Sequence, residues 1–64
     1  MIIEEQALSI AKEECARRGL LWALDMKIIT RPEWDFWRIY TPGRSERIAL
    51  HVDEETGEVV NIES

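Results

Sequence analysis

The sequence predicts an α+β domain in which one N-terminal helix packs on one face of a four-stranded antiparallel meander sheet. Apolar residues recur every three or four positions at the start of the chain, and after Gly19 they alternate with polar residues. These are the periods of a helix and of half-buried strands. Turn-forming residues divide the alternating part into four segments. With 64 residues, the chain is expected to form a single domain, residues 1–64.

Residues 4–18 are predicted to form the helix. One stripe of this segment is apolar and consists of Ala7, Leu8, Ile10, Ala11 and Cys15. Acidic residues occupy the first turn and Arg17 and Arg18 the last, which suits the helix dipole at both ends. Gly19 follows as the residue type that commonly closes a helix in the left-handed conformation.

Four strands are predicted from the alternation after Gly19. The predicted strands lie within residues 20–30, 35–41, 47–52 and 58–62. For residues 20–30 a helix is the competing interpretation, because Leu, Ala and Met tolerate it. A turn at Arg31-Pro32-Glu33 separates the first two strands. A loop from Pro42-Gly43 to Glu46 precedes the third.

The predicted register follows from the need to bury one face of the sheet under the helix. The last hairpin is expected to pair residue 53 with residue 57, and the first hairpin to turn at Pro32-Glu33. The resulting inward pairs are Leu50–Val60, Ile48–Ile62, Met26–Ile39 and Ile28–Trp37. Trp22 and Trp37 are therefore expected in the core.

The opposite face of the predicted sheet combines aromatic and cationic side chains. It is expected to present Phe36, Arg38, Tyr40, Ala49, His51 and Val59. Lys27 is predicted near Arg38, which is a repulsive pairing. Trp34, beside the turn, either caps the core or extends this face.

Aromatic residues and Arg carry much of the binding energy in protein interfaces. The candidate partner-binding residues are therefore Phe36, Arg38, Tyr40, His51 and Trp34. The competing interpretation is that exposed aromatics only support cross-strand pairing.

The acidic stretch "HVDEETGEVV", residues 51–60, resembles a cation-binding loop at first sight. A helix-loop-helix calcium loop needs glycine at its sixth position and a bidentate glutamate at its twelfth. Counted from Asp53, Gly57 is fifth and Ser64 is twelfth, so the match fails. Asp53 can instead accept backbone hydrogen bonds and Gly57 can take positive φ, which predicts a turn.

Few residues are suited to chemistry. His51 and Asp53 share a strand face and provide only half of a metal site. Cys15 could act as a nucleophile beside a base, but it lies on the buried helix stripe while His51 faces the far side of the sheet. We therefore expect no catalytic residue, no metal site and no cofactor.

Composition excludes several classes of function. The net charge of −5 argues against nucleic-acid binding, which depends on Lys and Arg at phosphates. No apolar run approaches the length of a membrane span, and the N-terminus lacks the features of a signal peptide. A single cysteine permits no internal disulfide. The chain as given is expected in the cytoplasm, or to be exported if it is cut from a longer precursor.

Three segments resemble the small PepSY-type domains. These are "EEQALSIAKEECARRG", "DFWRIYT" and "ALHVDEETGEVVNI". The last is similar to the closing hairpin of that family, with matches at Val52, Asp53, Thr56, Gly57, Glu58 and Val59. The resemblance implies a non-catalytic module that restrains peptidases or binds at surfaces, and it supplies no catalytic residue. Some compact immunity proteins have a similar hairpin.

The sequence therefore predicts a small interaction module, inhibitory by family resemblance, that binds a protein partner or a second copy of itself. The alternative is a metal- or ligand-binding accessory protein that uses His51 and Asp53. A structural fragment without a partner is the third hypothesis.

Overall fold

A computed structural model describes residues 1–22, 25–43 and 48–63, and it confirms the predicted α+β architecture. Helix α1 spans Glu4–Arg17 and is followed by a four-stranded antiparallel sheet in the order β1-β2-β3-β4. The strands are β1 Lys27–Ile29, β2 Phe36–Tyr40, β3 Ala49–Asp53 and β4 Val59–Glu63. Each strand pairs with the next along the chain, so the sheet is a meander.

Hydrogen bonds close both ends of α1. At the start, the side-chain oxygen of Gln6 accepts the backbone N–H of Ile3 at 3.0 Å. At the end, Gly19 has φ of +73°, and the N–H of Leu20 reaches back to the carbonyl of Cys15 at 2.8 Å. This is the Schellman arrangement that a helix-terminal glycine favours. Within the described ranges, no helix is long and apolar enough to cross a membrane.

The core lies between α1 and one face of the sheet. The fully covered helix positions are Ala7, Ala11 and Cys15, and the sheet contributes chiefly Ile39, Leu50 and Val52. Small residues on the helix let it approach the sheet closely, while branched residues fill the space below. Trp22 and Trp37 pack against this core as partly buried residues, as predicted.

The first predicted strand is shorter than expected. Only Lys27–Ile29 pairs with β2, whereas the sequence predicted a strand within residues 20–30. The hydrogen bond from Leu20 to the end of α1 holds that residue in the helix cap, and Asp25 lies in a turn. The predicted strand positions Ala23 and Leu24 lie outside the described residues.

The predicted register of the first hairpin is wrong by two residues. Ile28 lies opposite Ile39, and Lys27 lies opposite Tyr40. The turn closes with the N–H of Trp34 bonded to the carbonyl of Arg31 at 3.0 Å, and further residues then precede β2. A shift of two residues keeps every side chain on its predicted face. It also separates Lys27 from Arg38, so the predicted repulsive pairing is not formed.

The predicted register of the last hairpin is also wrong. Leu50 lies opposite Ile62 rather than Val60, and Val52 lies opposite Val59. From the pair His51–Asn61 to the pair Val52–Val59, β3 advances by one residue and β4 by two, so Val60 is the extra residue of a β-bulge. Val59, predicted on the open face, packs against the core. Val60, predicted in the core, is 57% exposed.

Candidate functional site

The sheet face turned away from α1, which we call the outer face, carries a continuous row of planar side chains. The row, which we call the stacked row, runs in the order Arg31, Trp34, Phe36, His51, Arg38 and Tyr40. It contains all five residues that the sequence singled out for partner binding. Their role in binding is a prediction; their mutual contact is a structural finding.

His51 forms the centre of the stacked row. Its ring lies parallel to that of Phe36, with centroids 4.2 Å apart and 7° between the planes. On the neighbouring strand, Nη1 of Arg38 lies 3.3 Å from Nε2 of His51. Because a guanidinium can only donate, Nε2 must be the acceptor and the imidazole must be neutral with its proton on Nδ1. The centre of the row is therefore held by β2–β3 pairing and by this hydrogen bond.

The two ends of the stacked row are cation–aromatic contacts. At one end, the guanidinium carbon of Arg31 lies 5.4 Å from the ring centroid of Trp34, which stacks on Phe36 at 4.8 Å. At the other end, the guanidinium carbon of Arg38 lies 5.2 Å from the ring centroid of Tyr40. A contact of this kind at an exposed site contributes about 0.5–1 kcal/mol. Together with the central stack, these contacts favour one arrangement of the row, which reduces the entropy lost when a partner binds.

Sequence reasoning missed one cation beside the candidate residues and gave another the wrong cross-strand partner. Arg31 was interpreted only as part of a turn, although a turn that bonds residue 31 to residue 34 brings Arg31 and Trp34 together. Lys27 was placed beside Arg38, whereas the observed register sets it opposite Tyr40. The three-residue spacing of Arg31 and Trp34 was the signal that could have found the first contact.

The acidic stretch after β3 is a turn, as predicted. One side-chain oxygen of Asp53 accepts the backbone N–H groups of Glu55 and Thr56 at 2.8 and 3.0 Å. These bonds lower the pKa of the Asp53 carboxyl, since they stabilise its charged form. The turn is joined to the N-terminus by the N–H of Ile2, which donates to the carbonyl of Glu54 at 2.6 Å. Its acidic residues thus stabilise the chain reversal.

The residues considered for metal binding and catalysis lie apart or are already bonded. In the described part of the chain, no group of three or more His, Cys, Asp or Glu side chains could hold a metal ion. Cys15 is fully covered in the core, and burial followed by the charge of Glu14 raises the pKa of its thiol. A buried thiol of this kind is a poor nucleophile. His51 lies on the outer face, across the core from Cys15.

A groove lies between α1 and the start of β4. This groove has a volume of about 420 Å³ and is lined by Ile10, Glu14, Arg17, Gly57, Glu58 and Val59. The carboxylate of Glu14 is bonded to Arg18, and it lies 3.3 Å from Arg17. Its charge is therefore compensated within the helix, which leaves the groove with little to recognise a ligand.

His51 is expected to make folding stability depend on pH. Burial first, and then the positive charge of Arg38, lower the pKa of His51, while Glu63 acts in the opposite direction. The unfolded chain therefore binds a proton at higher pH than the folded chain does, so stability is lost as pH falls through 6.5, the unperturbed histidine value. Above pH 6.5 the contribution of neutral His51 to folding stability is fully present.

Urea denaturation at a series of pH values between about 5 and 8 tests this dependence. His51→Gln is the matched control, because its amide oxygen can still accept from Arg38 but does not titrate in this range. We expect the free energy of unfolding to fall below about pH 6.5 in the wild type and to stay flatter in the variant. Identical pH profiles would show that His51 is not held neutral.

Comparison with protein-family models finds no match for this chain, and comparisons with curated proteins and with solved structures find no significant similarity. The geometry of the outer face is therefore the basis on which a function can be assigned to this chain.

Proposed function

We infer that the chain is a small non-catalytic interaction module that binds a protein partner, or a second copy of itself, through the outer face. The observation that carries this proposal is the stacked row, in which every planar group contacts the next. Aromatic and Arg side chains are the residues that most often dominate binding energy. Here two Arg and three aromatic side chains lie side by side in a chain whose net charge is −5.

Cross-strand support of the sheet explains only part of the stacked row. Phe36 and His51 lie on adjacent strands, and their contact stabilises β2–β3 pairing. Arg31 and Trp34 lie outside the strands, in the turn before β2. Their addition extends the stacked row past the edge of the paired region, which favours a recognition surface. An inhibitory role, such as restraint of a peptidase, is the form of this function that resemblance to PepSY-type domains implies.

The alternative is a metal- or ligand-binding accessory protein that uses His51 and Asp53. It is less favoured because both groups already have protein partners. The Nε2 atom of His51 accepts from Arg38, and the Asp53 carboxylate accepts two backbone N–H groups. A metal ion at Nε2 of His51 would have to displace Arg38.

The double substitution Phe36→Ser with Tyr40→Ser tests the proposal. It removes two rings of the stacked row, and we expect it to abolish capture of a partner from an extract of the native host, because Arg38 loses the ring under its guanidinium and His51 loses the ring on which it stacks. Capture by the immobilised chain, followed by identification of the bound protein, is the measurement. If the partner is a peptidase, its activity should fall with wild type and not with the double variant.

A control with the same chemistry replaces exposed apolar residues away from the stacked row. Leu21 and Val60 are 86% and 57% exposed, and changing both to Ser should leave capture intact. Circular dichroism of each variant verifies that it is folded. The interaction hypothesis is wrong if the Phe36 and Tyr40 variant keeps its partners and assembly state while divalent metal ions raise the melting temperature of the wild type.

A further inference from the structure

The outer face is divided into rows that run across the four strands. The first row contains Lys27, Tyr40, Ala49 and Glu63, and the second contains Ile29, Arg38, His51 and Asn61. Both rows follow directly from the antiparallel register, in which residues opposite one another share a face.

The first row has opposite charges at its two ends. Lys27 lies on the edge strand β1 and Glu63 on the edge strand β4, and both side chains are exposed. In the middle of this row Tyr40 lies opposite Ala49, which its own chain already covers. The row is thus cationic at one edge of the sheet and anionic at the other.

We propose that the partner of the outer face is a second copy of this chain, packed face to face about a two-fold axis that runs along the strands. Such an axis reverses the order of the strands and keeps each residue in its row. Therefore β1 lies over β4 of the second copy, and β2 lies over β3 of the second copy. Lys27 then faces Glu63 of the second copy, and this contact occurs twice.

The other two-fold arrangement in the same plane is unfavourable. An axis perpendicular to the strands would place β1 over β1 of the second copy, with the two strands running in opposite directions. Lys27 would then face the end of β1 that leads to Arg31, which brings like charges together. Charge complementarity therefore selects the axis along the strands, and the two facing sheets can adopt the aligned packing that is common in β-sandwiches.

The dimer is expected to be weak. Four strands spaced about 4.8 Å apart and five residues long at about 3.3 Å each give a face of roughly 300 Å² in plan. A standard interface buries about 800 Å² of accessible surface on each partner. Sedimentation velocity should therefore cover protein concentrations from about 10 μM to 1 mM.

Charge reversal tests the arrangement directly. K27E alone and E63K alone each place like charges at both contacts, and we expect either change to weaken self-association by roughly tenfold or more. An equimolar mixture of the two variants has opposite charges at both contacts. The mixture is expected to form a heterodimer about as strong as the wild-type dimer, and the double variant K27E/E63K should also regain self-association.

Controls on α1 separate contact effects from net charge. Lys12 and Glu13 are exposed on the helix, on the other side of the sheet. K12E and E13K change the net charge by the same amounts as the test variants and should leave self-association near the wild-type level. Because all four positions are exposed, the variants are expected to fold, which circular dichroism verifies.

This inference rests on the proposed function, because it assigns a partner to the same face, and the two can fail separately. A wild-type chain that stays monomeric up to about 1 mM, or variants that associate no better mixed than alone, would overturn the homodimer. Loss of a captured heterologous protein in the Phe36→Ser, Tyr40→Ser variant would then still support the proposed function. If neither self-association nor capture depends on the outer face, both proposals are wrong.

Discussion

Leu50→Ala is expected to destabilise the domain by about 2–5 kcal/mol, the usual cost of removing a buried leucine side chain. Leu50 is fully covered and lies between Ile39 and Ile62 in the sheet, directly beneath α1. A domain of this size has a total stability of roughly 3–10 kcal/mol. The substitution should therefore remove a large fraction of the stability and lower the melting temperature by more than about 10 °C.

Leu21→Ala is the matched control, because it removes the same atoms from a side chain that is 86% exposed. The free energy of unfolding of this variant is expected to lie within about 0.5 kcal/mol of the wild-type value. Urea denaturation of both variants, with the slope m compared as well as the midpoint, measures the difference. Similar losses from the two variants would mean that the helix does not lie on the face to which Leu50 points.

Gly57→Ala is expected to have the second large effect. Gly57 has φ of +79°, where a residue with a Cβ atom costs roughly 1–2 kcal/mol. A Cβ at this position would also lie 3.0 Å from Cδ1 of Ile10 and 3.6 Å from Cγ2 of Ile2. Relieving the first contact requires the Ile10 methyl group to move, which adds roughly 1 kcal/mol.

Gly19→Ala provides the control for backbone strain alone. Gly19 has φ of +73°, and a Cβ built there meets no described atom within 4 Å. Both glycine variants should therefore lose stability through backbone strain at positive φ. Only Gly57→Ala should lose further stability through the contact with Ile10. Repeating Gly57→Ala in an Ile10→Val background, which removes Cδ1, should reduce its cost. Equal costs in both backgrounds would show that the turn does not press against the helix.

The elements were predictable because each has a local cause. The helix ended where Gly19 predicted, and the acidic turn followed from what Asp53 and Gly57 can do as residues. The division into two faces was also predictable in β2 and β3, where alternation is regular. The same alternation placed Phe36, Arg38, Tyr40 and His51 together on the outer face.

The register was not predictable because it depends on how many residues each connection contains. A two-residue shift leaves the face of every side chain unchanged, so the hydrophobic pattern could not exclude it. The bulge at Val60 was not predictable for a related reason. Val59 and Val60 are equally apolar, so the hydrophobic pattern does not show which of them faces the core. The contacts that join Phe36, His51, Arg38 and Tyr40 in the stacked row were not predictable, because they depend on side-chain conformation.

The bulge in β4 also bears on how the protein avoids aggregation. In the described part of the chain β4 pairs with β3 on one side only, so a row of its backbone N–H and C=O groups is open to strands of other molecules. An apolar edge of this kind is a template for fibrillar growth. The extra residue interrupts the regular spacing of those groups, and the glutamates at positions 58 and 63 bring negative charge to both ends. We therefore expect this irregularity in pairing to hinder strands of other molecules from adding to the β4 edge.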